Sequence, residues 1–274
     1  MTPPVIPVGH LDEHQVQSVL NAATAAPSPH HSRPWTFRCT ATTIELYTDN
    51  HPELVLSCGA ALLNLRLAIR ALGVHPAVSL LPDPHQPDLL AVVRPQGHIT
   101  VGPADWELAD AIYRRDTDHR PFRHTAVPLP VVTGLRQAAK AERAWLPTLT
   151  GTQLPILRDL VNQTQGHDPA HAREESPTPE PLIAVIGTFH DSPLARLQAG
   201  QAMQRVLLTA TIAGLSTSIL PQITAIPTTR QQLRQQIIGG LWPQVLLRLG
   251  YPLPPPVTPR RDLDDEVATG PRAD

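Results

Sequence analysis

The stretch from Leu54 to Gly73 carries apolar residues on almost every side of a helix, the pattern of a helix buried between two bodies rather than lying on a surface. Cys58-Gly59-Ala60-Ala61-Leu62 through Ala71-Leu72-Gly73 matches Ala199-Gly200-Gln201-Ala202-Met203 through Ala213-Gly214 without a gap. In both, one glycine opens a long helix, another ends it, and a β-rich run follows, Ala77 to Leu81 and Thr217 to Leu220. A long unit present twice points to a fused pseudo-dimer rather than a solenoid.

Around these two helices the periodicity alternates between helix and strand. Asp12 with Gln15 reads as a capping box, and Val16, Val19, Leu20 and Ala23 follow at helical spacing until Pro27. Trp35 to Cys39, Thr43 to Thr48 and Leu89 to Arg94 read as strands. Asp105 is expected to cap a helix over Trp106 to Tyr113. Helices near Pro130 to Ala141 and Thr152 to Gln163, a strand over Pro181 to Phe189, a helix over Ser192 to Gly214 and a strand over Val245 to Tyr251 complete the reading. The polar, proline-interrupted stretch 166–181 is expected to run over the surface, and a proline-rich tail follows Pro252. The expected class is α+β, with residues 1–100 and 101–274 as the two halves.

Composition narrows the partners. With 22 basic against 24 acidic residues and a formal charge of -2, there is no broad electrostatic footprint for nucleic acid or an anionic membrane. No basic, apolar leader pattern and no uncharged run of membrane-spanning length occurs, so a cytoplasmic location is expected. Cys39 and Cys58 lack a CxxC spacing and are expected to be buried, inert thiols. Lysine occurs once, at Lys140, so nearly all positive charge is arginine. His167 and His171 flank Pro169 in the loop, without a third ligand nearby for zinc. The absence of GxSxG, P-loop and GxGxxG patterns argues against hydrolase, NTPase and dinucleotide-fold readings.

Two motifs carry chemistry. Arg114-Arg115-Asp116-Thr117-Asp118-His119-Arg120-Pro121-Phe122 places Arg115 and Thr117 two apart on an extended segment, so a guanidinium and a hydroxyl can address phosphate or sugar-alcohol oxygens from one side. An arginine pair at a helix C-terminus also suits the helix dipole without any ligand. The other motif is Ala26-Pro27-Ser28-Pro29-His30-His31-Ser32-Arg33-Pro34-Trp35. Together they resemble the RRxS/T start and the APSxxNxQPW loop of nitroreductase-type flavoenzymes, in reversed order along the chain. Within that superfamily the chain is most similar to the fused, single-chain Acg type of actinobacteria, with APSPHHSRPW, SCGAALLNLRLA, RRDTDHRPF and LLRLGYPLP as the matching stretches.

The resemblance implies a nitroreductase-like fold in two tandem copies and one FMN where the halves meet. It assigns ribityl and phosphate contacts to Arg115 and Thr117 and puts His119 near the pyrimidine edge, where the family more often has Lys or Arg. Pro27, Ser28 and His31 would meet the ring from the other half. Gly214, Leu215 and Ser216 match the turn beside the flavin, and Arg260 or Arg261 matches the basic residue that closes on the phosphate. His31 and Arg33 depart from the usual Asn and Gln of the loop. The mirror site lacks its parts, because Glu142-Arg143-Ala144-Trp145 stands where a second loop would lie. The expected function is an oxidoreductase passing hydride or electrons from NAD(P)H or another donor to a small electrophilic substrate, as a monomer. A non-catalytic FMN-sequestering protein and a specialised biosynthetic flavin dehydrogenase are the competing readings.

Overall fold

The computed structural model describes residues 6–48, 54–118, 120–165, 181–220 and 222–254. It is an α+β structure with two four-stranded antiparallel sheets. In the first, β1 (Trp35–Cys39), β2 (Ile44–Thr48), β3 (Val74–Leu80) and β4 (Leu89–His98) lie in the order β1-β2-β4-β3. In the second, β5 (Thr148–Leu149), β6 (Leu182–Thr188), β7 (Ser216–Leu220) and β8 (Trp242–Gly250) repeat that order as β5-β6-β8-β7. Helices also correspond. α1 (Glu13–Thr24) precedes β1 as α4 (Leu129–Ala141) precedes β5, and α2 (Val55–Ala71) leads into β3 as α6 (Pro193–Ile212) leads into β7. The remaining helices are α3 (Pro103–Arg114), α5 (Gln153–Gln165), α7 (Gln222–Ala225) and α8 (Pro227–Gln236).

The glycines of the sequence repeat explain the centre of the molecule. A Cβ on Gly200 would collide with the carbonyl oxygen of Leu56 and lie 2.9 Å from the Cα of Gly59. One on Gly59 would collide with the carbonyl oxygen of Leu197 and lie 2.9 Å from the Cα of Gly200. Backbone meets backbone at this crossing. Above it Gln204 Nε2 donates to Asn64 Oδ1 at 2.8 Å, and Asn64 Nδ2 to the carbonyl of Ala22 at 3.0 Å. Both helices end on a glycine in the left-handed region, Gly73 at φ 75° and Gly214 at φ 74°, the conformation a helix-terminating C′ residue needs. One hydrophobic core runs between the two sheets, from Leu46, Leu62 and Leu65 to Leu197, Val206 and Leu247.

Several boundaries differ from the sequence reading. Asp12 does form the capping box, accepting from Gln15 N at 2.8 Å while Gln15 Oε1 accepts from Asp12 N at 3.0 Å. Asp105 does not cap α3. The helix starts earlier because Pro103 fits its first turn, Gly102 is the N-cap, and Asp105 Oδ2 accepts from Gly102 N at 3.2 Å. Strand β4 runs on to His98, and the polar helix α8 and the short β5 were not anticipated. Cys58 is buried and its thiol donates to the carbonyl of Pro34 at 3.2 Å. Cys39 is half-buried rather than buried, and desolvation pushes its thiol up. Among the described residues no helix is long and apolar enough to cross a membrane, and no group of three or more His, Cys, Asp and Glu could hold a metal. His167 and His171 lie outside the described residues.

A charged knot at Asp191 fastens α6, α8 and β8 together. Asp191 accepts from Arg230 Nη1 at 2.7 Å and Nη2 at 2.8 Å, and from Arg196 Nε at 3.1 Å. Arg230 also donates to the carbonyl of Pro243 at 2.9 Å. These guanidinium groups, Arg230 foremost, hold the Asp191 carboxyl far below the usual carboxylate range. A depressed folded pKa contributes stability above the unfolded value, near pH 4, and that stability is lost as the pH falls toward the folded pKa. Asp191→Asn should therefore cost roughly 2 kcal/mol at pH 7, less than a fully buried pair because the group is partly wetted. Thermal melts between about pH 7 and 2 check this. The gap between wild type and variant should begin to narrow below about pH 4 and keep shrinking toward about pH 2, and a gap independent of pH would refute the assignment.

Candidate functional site

The loop between α1 and β1 is the most strained segment described. Ser28 has extended backbone and starts a single 3₁₀ turn over Pro29–His31. His30, His31 and Arg33 have φ of 50°, 56° and 47°. A left-handed backbone costs a residue other than glycine roughly 1–2 kcal/mol, and no glycine lies between Ala26 and Trp35. The shape is imposed from both ends. Ala26 and Trp35 are buried, Pro34 is held by the Cys58 thiol, and Ser28 Oγ accepts from Arg33 N at 3.1 Å. That bond uses Ser28 as acceptor and leaves its hydroxyl proton free to be donated. Pro27 and Ser28 are half-buried, while His30, His31 and Arg33 are exposed. Concentrated strain of this kind is a mark of functional loops.

The second segment leaves α3 and runs beside β7. Thr117 bridges Thr217 in parallel, and Asp118 N donates to the carbonyl of Thr217 at 2.9 Å. This sets Thr117 beside β7, just past the turn of Gly214, Leu215 and Ser216, with Arg115 two residues before it in the chain. Arg115 Nη1 donates to Thr117 Oγ1 at 3.1 Å. Its Nε is buried and, among the described residues, has no hydrogen-bond partner. Burial pushes this guanidinium below its ordinary value, against the pull of Asp116. A desolvated cation with an unused donor is costly, and an anion is the group that would relieve it.

Arg248 escaped the sequence reading as a site residue. It projects from β8 with its guanidinium 4.5 Å from the Phe122 ring centroid, and its Nη2 donates to the carbonyl of Arg120 at 2.6 Å. Its Nε too is buried without a partner among the described residues, and burial, opposed by Asp118, lowers its pKa. Phe122 lies so close over Gly250 that a Cβ there would be 2.7 Å from the ring. Asp118 is clasped by Arg120 through two guanidinium bonds and one backbone N–H bond, each 2.9 Å, which keep its carboxyl below the ordinary value. A charged residue inside the apolar run LLRLG was the available signal.

The two segments start from one place. The last turn of α1, with Ala22 and Ala25, shares an apolar cluster with Leu108, Ala111 and Ile112 of α3 and with Leu63, Leu67 and Leu208 of the central helices. His119, Arg260 and Arg261 lie outside the described residues.

A protein of Mycobacterium tuberculosis that bears the name NAD(P)H nitroreductase Rv3131 is 32% identical to this chain, over 93% of it and 92% of its own length. The chain belongs to the nitroreductase family. The protein of the same organism named NAD(P)H nitroreductase acg is 27% identical over 91% of this chain and 94% of its own, in line with the Acg-type resemblance. No family model matches the chain. A solved nitroreductase with bound FMN from Bacteroides fragilis overlays with a TM-score of 0.43 at 15% identity, covering 61% of this chain and 99% of that one.

Proposed function

We propose that the chain binds one FMN at the seam beside β7 and acts as an FMN-dependent oxidoreductase, taking reducing equivalents from NAD(P)H and passing them to a small electrophilic substrate. The observation that carries this reading is the buried Nε of Arg115, without a partner among the described residues, two residues before the Thr117 that pairs with Thr217. The nitroreductase names of the relatives support the donor and the reaction class. We read residues 1–100 and 101–274 as fused copies that work as a monomer in the cytoplasm.

FMN, when bound, supplies the redox chemistry. The protein's part is positioning and charge. Arg115 neutralises the phosphate, and Thr117, whose oxygen already accepts from Arg115, has its own proton left for a ribityl or phosphate oxygen. Pro27 and Ser28 present backbone and hydroxyl toward the ring from the opposite side, with His31 and Arg33 at the mouth. Leu215, buried, excludes water from the floor. His119, Arg260 and Arg261 complete the proposal, His119 at the pyrimidine edge and one tail arginine over the phosphate.

The absorption spectrum of the purified protein tests the proposal directly. With FMN added and excess removed, the protein should stay yellow at one flavin per chain, and NADPH or NADH without oxygen should bleach it. A chain that retains no flavin would refute the binding site. Retained flavin that neither nucleotide reduces would refute the donor and favour sequestration.

A further inference from the structure

A cleft opens at the turn between α4 and β5, beside β3. The turn from α4 to β5 follows α4 as the α1–β1 loop follows α1, and β3 holds the edge place in its sheet that β7 holds in the other. Between that turn and β3, beside the start of α6, lies a cavity of about 400 Å³ lined by Arg66, Leu80, Glu142, Arg143, Gln198 and Gln201, within the size range of small-molecule sites. Glu142 is buried and fully used. Its Oε2 accepts from Arg66 Nη1 at 2.7 Å and its Oε1 from Arg205 Nε at 2.8 Å. Arg66 Nη1 also donates to Gln201. One carboxylate thus serves two guanidinium groups, and Arg143 adds a third that, among the described residues, has no ion pair or hydrogen bond. The Gln198 amide is likewise unpartnered among the described residues. The cleft carries an excess of positive charge with unused donors.

Arg143 is the decisive residue. It sits just past the end of α4 at φ 60°, at a position where helices favour glycine. This chain places glycine at the corresponding ends of α2 and α6, Gly73 and Gly214. An arginine there holds an unfavourable backbone with its side chain exposed at the cleft. We infer that this cleft is a second ligand site, separate from the flavin seam, for a compact dianion of the phosphate or dicarboxylate kind. Arg143 and the free nitrogens of Arg66 take the anionic oxygens, the Gln198 amide donates to a remaining one, and Leu80 covers the apolar side. Glu142, already neutralised by Arg66 and Arg205, positions Arg66 and does not repel the ligand.

Calorimetric titration of the FMN-saturated full chain tests the inference, with inorganic phosphate and succinate as probes and sodium chloride holding the ionic strength constant. One equivalent of saturable binding by either probe is expected, and the probe that binds identifies the class. Arg143→Gln should weaken that binding about tenfold, the worth of one charge-assisted contact, with an unchanged flavin spectrum. Arg143→Gly should weaken it similarly while melting at the same or a higher temperature, since glycine relaxes the turn. Absence of saturable binding by both probes, or affinity unchanged in both Arg143 variants, overturns the site. So does binding lost in Arg115→Ala and kept in Arg143→Gln, which would place the probe in the flavin seam. Absence of flavin binding in wild type would count against the proposed function alone, because the same titration is then run on the flavin-free chain, with Arg115→Ala as the control for the seam.

Discussion

Arg115→Met is expected to weaken FMN binding by roughly ten- to a hundredfold while leaving riboflavin binding nearly unchanged. A hydrogen bond to a charged group is worth about 1.5–3 kcal/mol, and each 1.4 kcal/mol is tenfold in affinity. Only FMN carries the phosphate that Arg115 is proposed to meet. The flavin-free protein should respond in the opposite direction. Its Nε is buried without a partner among the described residues, and an unsatisfied buried donor costs about 1–3 kcal/mol. Methionine of similar length removes that penalty and keeps the packing, so the apo variant should melt at the same temperature as wild type or higher. Fluorescence titrations with the two flavins, paired with melts of the apo proteins, decide the matter. Equal loss of both flavins would move Arg115 away from the phosphate, and an apo protein that melts lower would mean that its role is structural.

The largest stability effect is expected from Gly200→Val. Overpacking normally costs about 1–3 kcal/mol because side chains can shift. Here the obstruction is the Leu56 carbonyl and the Gly59 backbone, so the two central helices must separate. A loss of about 4 kcal/mol or more is expected, in the range reserved for severe core damage. Gly134 in α4 supplies the contrast. A Cβ there meets nothing within 4 Å, so Gly134→Ala should stabilise by about 0.5–1 kcal/mol, the helix-interior cost of glycine. Urea unfolding of both variants tests the pair. A mild loss in Gly200→Val would show that the crossing can open without penalty.

What the sequence revealed was whatever local pattern encodes. The central helix was legible because it is apolar all round, and its partner because glycines recur at matching places. Arg115, Thr117 and the Gly214–Ser216 turn were legible as motifs, and the pairing of Thr117 with Thr217 brings them together. Helix α8 was not, since in PTTRQQLRQQ only Thr229 and Leu233 are buried and no apolar stripe announces it. The two-residue β5 exists through its pairing with Ile183 and Ala184, which no local pattern contains. The strain at His30, His31 and Arg33 was equally hidden, because the loop has no glycine or asparagine and histidine, though enriched in left-handed backbone, is still uncommon there. Arg248 acquires its environment from Phe122 and Arg120, far away in the chain.

The shared core also sets a timetable for synthesis. Helix α2 is complete at Ala71, but the helix that covers it ends only at Ile212. A ribosome adds about 5–20 residues per second, so the apolar surface of α2 waits on the order of ten seconds for its partner. During that interval the nascent chain presents what chaperones bind and what aggregates recruit. Slow translation or scarce chaperones should therefore limit the yield of this protein before any weakness of the finished fold does.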